Sequence, residues 1–78
     1  MRHSRVESNP KVMLGKPVIR GTRIPVEIIV RKLAEGATVA EVLADYPQLR
    51  EEDVRAALAF AADSLSTDEI LPLAETSE

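Results

Sequence analysis

The chain has 78 residues, of which 45% are hydrophobic and 29% charged, and its formal net charge is −3. That length allows one domain at most, whose core is marginally stable unless a disulfide, a metal or a partner subunit adds to it. Since there is no cysteine and the single histidine is His3, a disulfide is excluded and a His/Cys metal site lacks its ligands. We therefore expect no metal and no cofactor, and a homodimer or another partner as the source of extra stability.

The N-terminus lacks the apolar stretch of a signal peptide, and no apolar run approaches the roughly 18 residues of a membrane span. We expect a soluble, cytoplasmic protein without a membrane segment.

The charge is unevenly distributed along the chain. Residues 1–32 carry eight Lys/Arg and two Glu, a balance of +6, whereas residues 33–78 carry two Arg and eleven Asp/Glu, a balance of −9. This asymmetry predicts two different partners, or a dimer whose opposite halves attract each other. The alternative is that the charges only solvate the surface.

Residues 1–24 predict an extended arm with short strands. Pro10, Pro17 and two glycines, Gly15 and Gly21, interrupt the segment. Its apolar residues do not follow a helical period, which is typical of short strands and turns.

The first helix is predicted over residues 25–35. Its apolar residues fall at i, i+3, i+4 and i+7, on one helical face: Val26, Ile29, Val30 and Leu33. Pro25 suits the first turn, and Gly36 suits the left-handed position just beyond the end.

The second helix is predicted over residues 39–46. Thr38 and Glu41 have the spacing of a capping box, in which each side chain accepts a hydrogen bond from the other residue's backbone N–H. Pro47 ends the helix.

The third helix is predicted over residues 51–64, and an acidic tail follows over residues 66–78. The first turn of this third helix holds Glu51, Glu52 and Asp53, carboxylates that the helix dipole stabilises there. The expected inward face consists of Val54, Ala57, Leu58, Ala61 and Leu65, with Phe60 beside it.

These elements predict a mainly α protein with an N-terminal β arm or hairpin, residues 1–24, and a three-helix core, residues 25–65. The short link between the second and third helices favours a homeodomain-like helix-turn-helix bundle. Three-helix packing also arises for purely structural reasons.

The sequence does not favour catalysis. Gly15-Lys16 is followed by Pro17, which has no N–H to offer a phosphate, so the segment does not fit a P-loop. The single histidine has no evident partner, and a chain this small has little room for a concave active site. We expect a protein that is not an enzyme.

Binding to an acidic partner or to nucleic acid is the stronger expectation. The candidate cations are Lys11, Lys16, Arg20, Arg23, Arg31, Lys32, Arg50 and Arg55. Against DNA readout, the carboxylates of residues 51–53 would lie at the start of the recognition helix and repel phosphates. In the acidic tail, Ile70, Leu71 and Leu73 are candidate contacts for a protein partner; the alternatives there are a frayed terminus and a clip folded back on the core.

The segment GKPVIRGTRIPVEIIVRKLAEGATVAEVLADYPQLREEDVRAALAFAAD, from Gly15 to Asp63, closely resembles the small bacterial domain of unknown function 433. The shared hallmarks are G-K-P-x-I-x-G-T-R-I/V-x-V, a helix followed by Gly, a second helix ending in Y-P-x-L, and a third helix bearing D-I/V-x-A-A-L. Family members often have Ser or Thr before the third helix, where this chain has Arg50.

The resemblance implies a homeodomain-like helix-turn-helix protein and the antitoxin of a bacterial type II toxin–antitoxin pair. Such a protein would bind a PIN-like ribonuclease toxin and repress its own promoter by binding double-stranded DNA. We keep two alternatives: a stand-alone helix-turn-helix transcriptional regulator and a protein-interaction module that binds no nucleic acid. Under this hypothesis Val18, Ile19 and Ile24 anchor the arm to the helices or to a second subunit. Arg20 and Arg23 then face an acidic partner, either phosphates or the carboxylate-rich metal site of a PIN-like nuclease.

Overall fold

A computed structural model describes residues 3–66 of the chain. Two strands, β1 (Val6–Glu7) and β2 (Val18–Ile19), precede three helices, α1 (Val26–Ala34), α2 (Val39–Asp45) and α3 (Glu51–Ser66). The predicted mainly helical fold with a short N-terminal hairpin is confirmed. Within the described range, no helix is long and apolar enough to cross a membrane.

The hairpin holds the N-terminal arm against the helices. β1 and β2 are antiparallel, with Val6 opposite Ile19 and Glu7 opposite Val18. Val6, Val18 and Ile19 are all buried. The connection contains a 3-10 turn, Met13–Gly15, in which the backbone N–H of Gly15 donates to the carbonyl of Val12.

The local sequence signals fix the helix ends. The Thr38 hydroxyl accepts from the backbone N–H of Glu41, and the Glu41 carboxylate accepts from that of Thr38, so the predicted capping box is present. Gly36 has a φ of 104°, as expected for the left-handed residue after α1. All three helices begin and end within two residues of the predicted bounds.

One core joins the hairpin to all three helices. Its buried members come from β1, β2, the residues before α1, the connection between α2 and α3, and the facing sides of the helices: Val6, Ile19, Ile24, Val26, Ile29, Val42, Leu49, Val54 and Ala57. The arm is therefore anchored in the chain's own core through Ile19 and Ile24.

The inward face of α3 differs from the prediction. Leu58 is 42% exposed and Leu65 is 82% exposed, whereas Asp53, Val54 and Ala57 are buried. Because α3 is rich in alanine, its apolar stripe is weak, and the sequence pattern alone allows more than one rotation of the helix about its axis relative to the core. The observed one turns Asp53 inward, where it finds partners that the local sequence does not reveal.

Leu14 carries backbone strain without compensating burial. Its φ and ψ are 57° and 30°, and its side chain is 94% exposed. A left-handed conformation costs a leucine about 1–2 kcal/mol and costs a glycine almost nothing.

We therefore expect Leu14→Gly to raise the free energy of unfolding by about 0.5–1 kcal/mol, the strain relief being partly offset by the greater entropy of the unfolded chain. Urea denaturation measures the change. Leu14→Ala, which removes the same exposed side chain but keeps the strain, should leave stability nearly unchanged; equal effects of the two substitutions would contradict this account.

Candidate binding surface

The turn formed by residues 20–23, hereafter the arginine turn, is held at both ends by the core. Ile19 is 2% exposed and Ile24 is 6% exposed, and the backbone N–H of Ile19 donates to the carbonyl of Ile24 at 3.0 Å. The Thr22 hydroxyl donates to the carbonyl of Ile19 at 2.7 Å and accepts from the N–H of Ile24 at 3.0 Å. Gly21 has a φ of 81°, a conformation that L side chains rarely adopt. The turn is therefore preorganised.

Arg20 lies on this turn and has partners within the hairpin. Its Nε donates to the carbonyl of Ser4 at 2.6 Å, and one terminal nitrogen lies 3.4 Å from Oε1 of Glu7. The Arg20 side chain is nevertheless 59% exposed. An exposed ion pair of this kind contributes at most about 1 kcal/mol, so Arg20 remains open to a stronger acidic partner.

Arg23 is exposed at the end of the same turn. Its side chain forms no hydrogen bond or ion pair with any residue in the described range 3–66, and the same holds for the side chains of Lys11 and Arg50. Arg23 therefore presents a guanidinium that no described residue engages, on a turn that is held by the core.

Lys16 and Arg31 share one carboxylate. Nζ of Lys16 lies 3.3 Å from Oε1 of Glu27, and a terminal nitrogen of Arg31 lies 3.2 Å from Oε2. Hydrogen bonds from Lys16 and then from Arg31 lower the pKa of Glu27 from its usual value. These two predicted cations are thus partly neutralised within the chain.

We expect an NMR pH titration of the Glu27 carboxyl carbon to show a midpoint below that of an ordinary glutamate. Because the folded-state pKa is lowered, the stabilisation by the two pairs is present at neutral pH and is lost as the pH falls through that folded pKa. Lys16→Ala combined with Arg31→Ala should raise the midpoint, and salt should raise it in the unaltered chain. A midpoint that responds to neither change would contradict the pairing.

The remaining predicted cations lie on the helices. Nζ of Lys32 lies 3.1 Å from Oδ2 of Asp45 and 5.8 Å from the centre of the Tyr46 ring, and the hydrogen bond to Asp45 raises the pKa of Lys32. Arg55 pairs with Glu51 at 3.3 Å, one turn away on α3. These contacts reduce the positive charge available to a phosphate backbone.

The start of α3 contains an ion pair that the sequence analysis missed. Asp53 is 7% exposed; its Oδ2 accepts from the backbone N–H of Arg50 at 2.9 Å, and its Oδ1 accepts from Arg5 at 2.9 Å. Asp53 therefore caps the helix from the third position, although Arg50 supplies no capping side chain. Only the spacing of three residues between Arg50 and Asp53 hinted at this role.

His3 has a partner after all. Its Nε2 lies 2.9 Å from Oδ2 of Asp63, and its ring packs edge-on against Phe60 with a 5.3 Å separation of ring centres. The expectation that His3 lacks a partner was wrong, because Asp63 lies 60 residues away in the sequence. In the part of the chain that the structure describes, no group of three or more His, Cys, Asp or Glu side chains is placed to hold a metal ion.

The structure thus places the candidate cations in four settings. Arg20 and Arg23 share the arginine turn, and Lys16 and Arg31 meet at Glu27. Lys11 lies exposed in the connection between β1 and β2, and Lys32, Arg50 and Arg55 belong to the helices or their connections. The predicted tail contacts Ile70, Leu71 and Leu73 lie outside the described residues.

An antiparallel hairpin sharing one core with three helices, and bearing a preorganised arginine turn, defines a small, mainly helical protein with an exposed cationic loop. The model of the family described as protein of unknown function (DUF433) matches residues 6–61. The chain belongs to this family.

Two relatives show the extent of the similarity. A crystal structure of a DUF433 member from Anabaena variabilis ATCC 29413 superposes with a TM-score of 0.75 at 37% identity, over 80% of this chain and 61% of that one. The uncharacterised protein y4eO of Sinorhizobium fredii (strain NBRC 101917 / NGR234) is 39% identical over 56 residues, which are 72% of this chain. The chain spans only 25% of the length of y4eO.

Proposed function

We propose that this protein is the antitoxin of a bacterial toxin–antitoxin pair and that it neutralises a PIN-like ribonuclease by presenting the arginine turn to the acidic metal site of the enzyme. The observation that carries the proposal is the exposed Arg23, whose side chain has no partner among residues 3–66, on a turn fixed by Ile19 and Ile24. The resemblance to antitoxin-like sequences supplies the class of partner.

The geometry supports binding through this turn on energetic grounds. A loop that is already ordered loses little conformational entropy when it binds, so more of the interaction free energy appears as affinity. A guanidinium presents several N–H donors in a planar fork that matches a carboxylate. Arg23 is available directly, and Arg20 must exchange its contacts with the Ser4 carbonyl and the Glu7 carboxylate.

On this account the arginines inhibit by occupying the carboxylates with which a PIN-like nuclease holds its metal. Arginine–carboxylate pairs are stronger when the partner surface excludes water. The rest of the described chain acts as a scaffold that keeps the turn in shape, and it takes no part in a chemical step.

Promoter DNA is a second candidate ligand, favoured by the inward orientation of Asp53. The Asp53 carboxylate pairs with Arg5, and the Glu51 carboxylate pairs with Arg55. The surface at the start of α3 is therefore less negative than the sequence suggests. Glu52 remains exposed there. DNA binding would be supported by an affinity that falls steeply with salt, and an affinity independent of salt would exclude it.

The proposal is tested by co-expressing the chain with the product of the adjacent gene and purifying through a tag on the chain alone. Copurification of a stoichiometric ribonuclease-like protein is the expected result. If no neighbour copurifies while the chain binds DNA, the stand-alone regulator is the better account; if a neighbour without nuclease activity copurifies, the chain is an interaction module of another kind.

A further inference from the structure

An open apolar groove lies at the surface between α1 and α3, which also pack against each other. Its volume is about 490 Å³, and its apolar wall consists chiefly of Val26, Val30, Ala34, Phe60, Ala61 and Leu65. Leu65, at its edge, is 82% exposed. Glu27 and Arg31, which pair with each other, and Phe60, which packs against His3, also line the groove.

The described chain ends at the groove. α3 ends at Ser66, one residue beyond Leu65. The following residues, 67–73, read TDEILPL and contain three large apolar side chains, Ile70, Leu71 and Leu73. This apolar segment therefore begins next to the groove in the chain.

The dimensions of the segment and the groove agree. From Val26 to Ala34 the helix advances by eight residue rises, about 12 Å at 1.5 Å per residue. Four extended residues reach about 14 Å from Ser66, so residues 67–70 suffice to turn back along the groove. Pro72 biases Leu71 toward an extended conformation, in which Leu71 and Leu73 point to the same side about 7 Å apart. One turn of α1, from Val30 to Ala34, advances about 6 Å.

The charges agree as well. Glu27 and Arg31 lie at the rim of the groove, and Lys16 pairs with Glu27, so these three side chains carry a net charge of +1 (two cations, one anion). Residues 67–73 contain two acidic residues, Asp68 and Glu69, and no Lys/Arg, a charge of −2. A second copy of the rim would bring like net charge against it, whereas the acidic segment brings opposite charge.

We infer that the groove between α1 and α3 is the docking site of the chain's own residues 67–73, with Leu71 and Leu73 as its apolar anchors. This contact is intramolecular and does not depend on the proposed antitoxin function. It has a consequence for partner binding: a protein that takes either the groove or the segment must first separate the two, which lowers its apparent affinity.

Paramagnetic relaxation on the full chain tests this inference. Because the sequence has no cysteine, Ala74→Cys provides a unique site for a nitroxide label. The expected result is loss of most of the amide signal intensity at Val30, Ala34 and Ala61, with little loss in α2, which lines no part of the groove. Adding Leu71→Ser and Leu73→Ser should restore the groove signals; adding Leu14→Ser, which removes an exposed leucine outside the groove, should not.

A second variant acts from the groove side without threatening the fold. Ala34 is exposed, so Ala34→Asp should leave the far-UV circular dichroism unchanged and restore the groove signals by repelling the acidic segment. A mixture of spin-labelled chain at natural isotope abundance and ¹⁵N-enriched chain without the spin label distinguishes a segment of the same chain from that of a second copy. Groove broadening that appears fully in the mixed sample means that a second copy supplies the segment, and broadening elsewhere or nowhere means that the groove does not bind it; either result overturns the inference.

Discussion

Asp53→Ala is expected to lower the free energy of unfolding by about 2–3 kcal/mol. The substitution removes the acceptor for the backbone N–H of Arg50 and the partner of Arg5, both at 2.9 Å. Loss of a helix cap costs about 0.5–2 kcal/mol, and a hydrogen bond to a charged group contributes about 1.5–3 kcal/mol. The sum is reduced because the Arg5 side chain is 43% exposed and regains water.

Urea denaturation of the full chain measures the effect, with an unchanged m-value showing that the unfolded state is the same. Glu52→Ala is the matched control, since it removes an exposed carboxylate from the adjacent position of the same helical turn. We expect it to change stability by no more than about 0.5 kcal/mol. Similar losses for both variants would show that Asp53 acts only through the helix dipole and that its two hydrogen bonds are unimportant.

The second large effect concerns binding. Replacing both Arg20 and Arg23 with alanine should weaken the complex with the ribonuclease partner about 100-fold. Each charge-assisted contact contributes about 1.5–3 kcal/mol, and a tenfold change in Kd corresponds to about 1.4 kcal/mol. The expected 100-fold loss assigns Arg20 less than the full free energy of a charge-assisted contact, because Arg20 must first give up its contacts with Ser4 and Glu7.

Isothermal titration calorimetry gives the Kd, and a charge-matched variant shows whether location matters. Lys32→Ala with Arg55→Ala also removes two positive charges, but from side chains already paired with Asp45 and Glu51. We expect that pair to weaken binding less than about threefold. Equal losses would mean that net charge and not the arginine turn governs the affinity. The free energy of unfolding of the Arg20/Arg23 double variant should differ from that of the unaltered chain by no more than about 1 kcal/mol, because both side chains are exposed.

Local signals in the sequence were sufficient for most of the fold. The Thr38–Glu41 capping box and Gly36 determine helix ends through contacts only a few residues apart, and both were predicted and observed. Similarly, the absence of a helical period before Pro25 correctly indicated strands. Such features are readable because the partners are neighbours in the chain.

The orientation of α3 and the state of the cations depend on distant partners. Asp53 turns inward because Arg5 meets it from 48 residues away, and no periodicity argument anticipates a buried carboxylate. Arg20 meets Glu7 because the hairpin register places Glu7 opposite Val18, two residues from Arg20. A list of basic residues therefore identified the candidate surface without showing which charges remain unpaired.

Titration of the purified ribonuclease partner with this chain tests the central claim most directly. The account predicts that RNA cleavage falls to background as the chain reaches stoichiometric equivalence, and that the variant lacking both Arg20 and Arg23 leaves most of the cleavage intact at the same concentration. If that variant silences the nuclease as effectively as the unaltered chain, the arginine turn is not the inhibitory element.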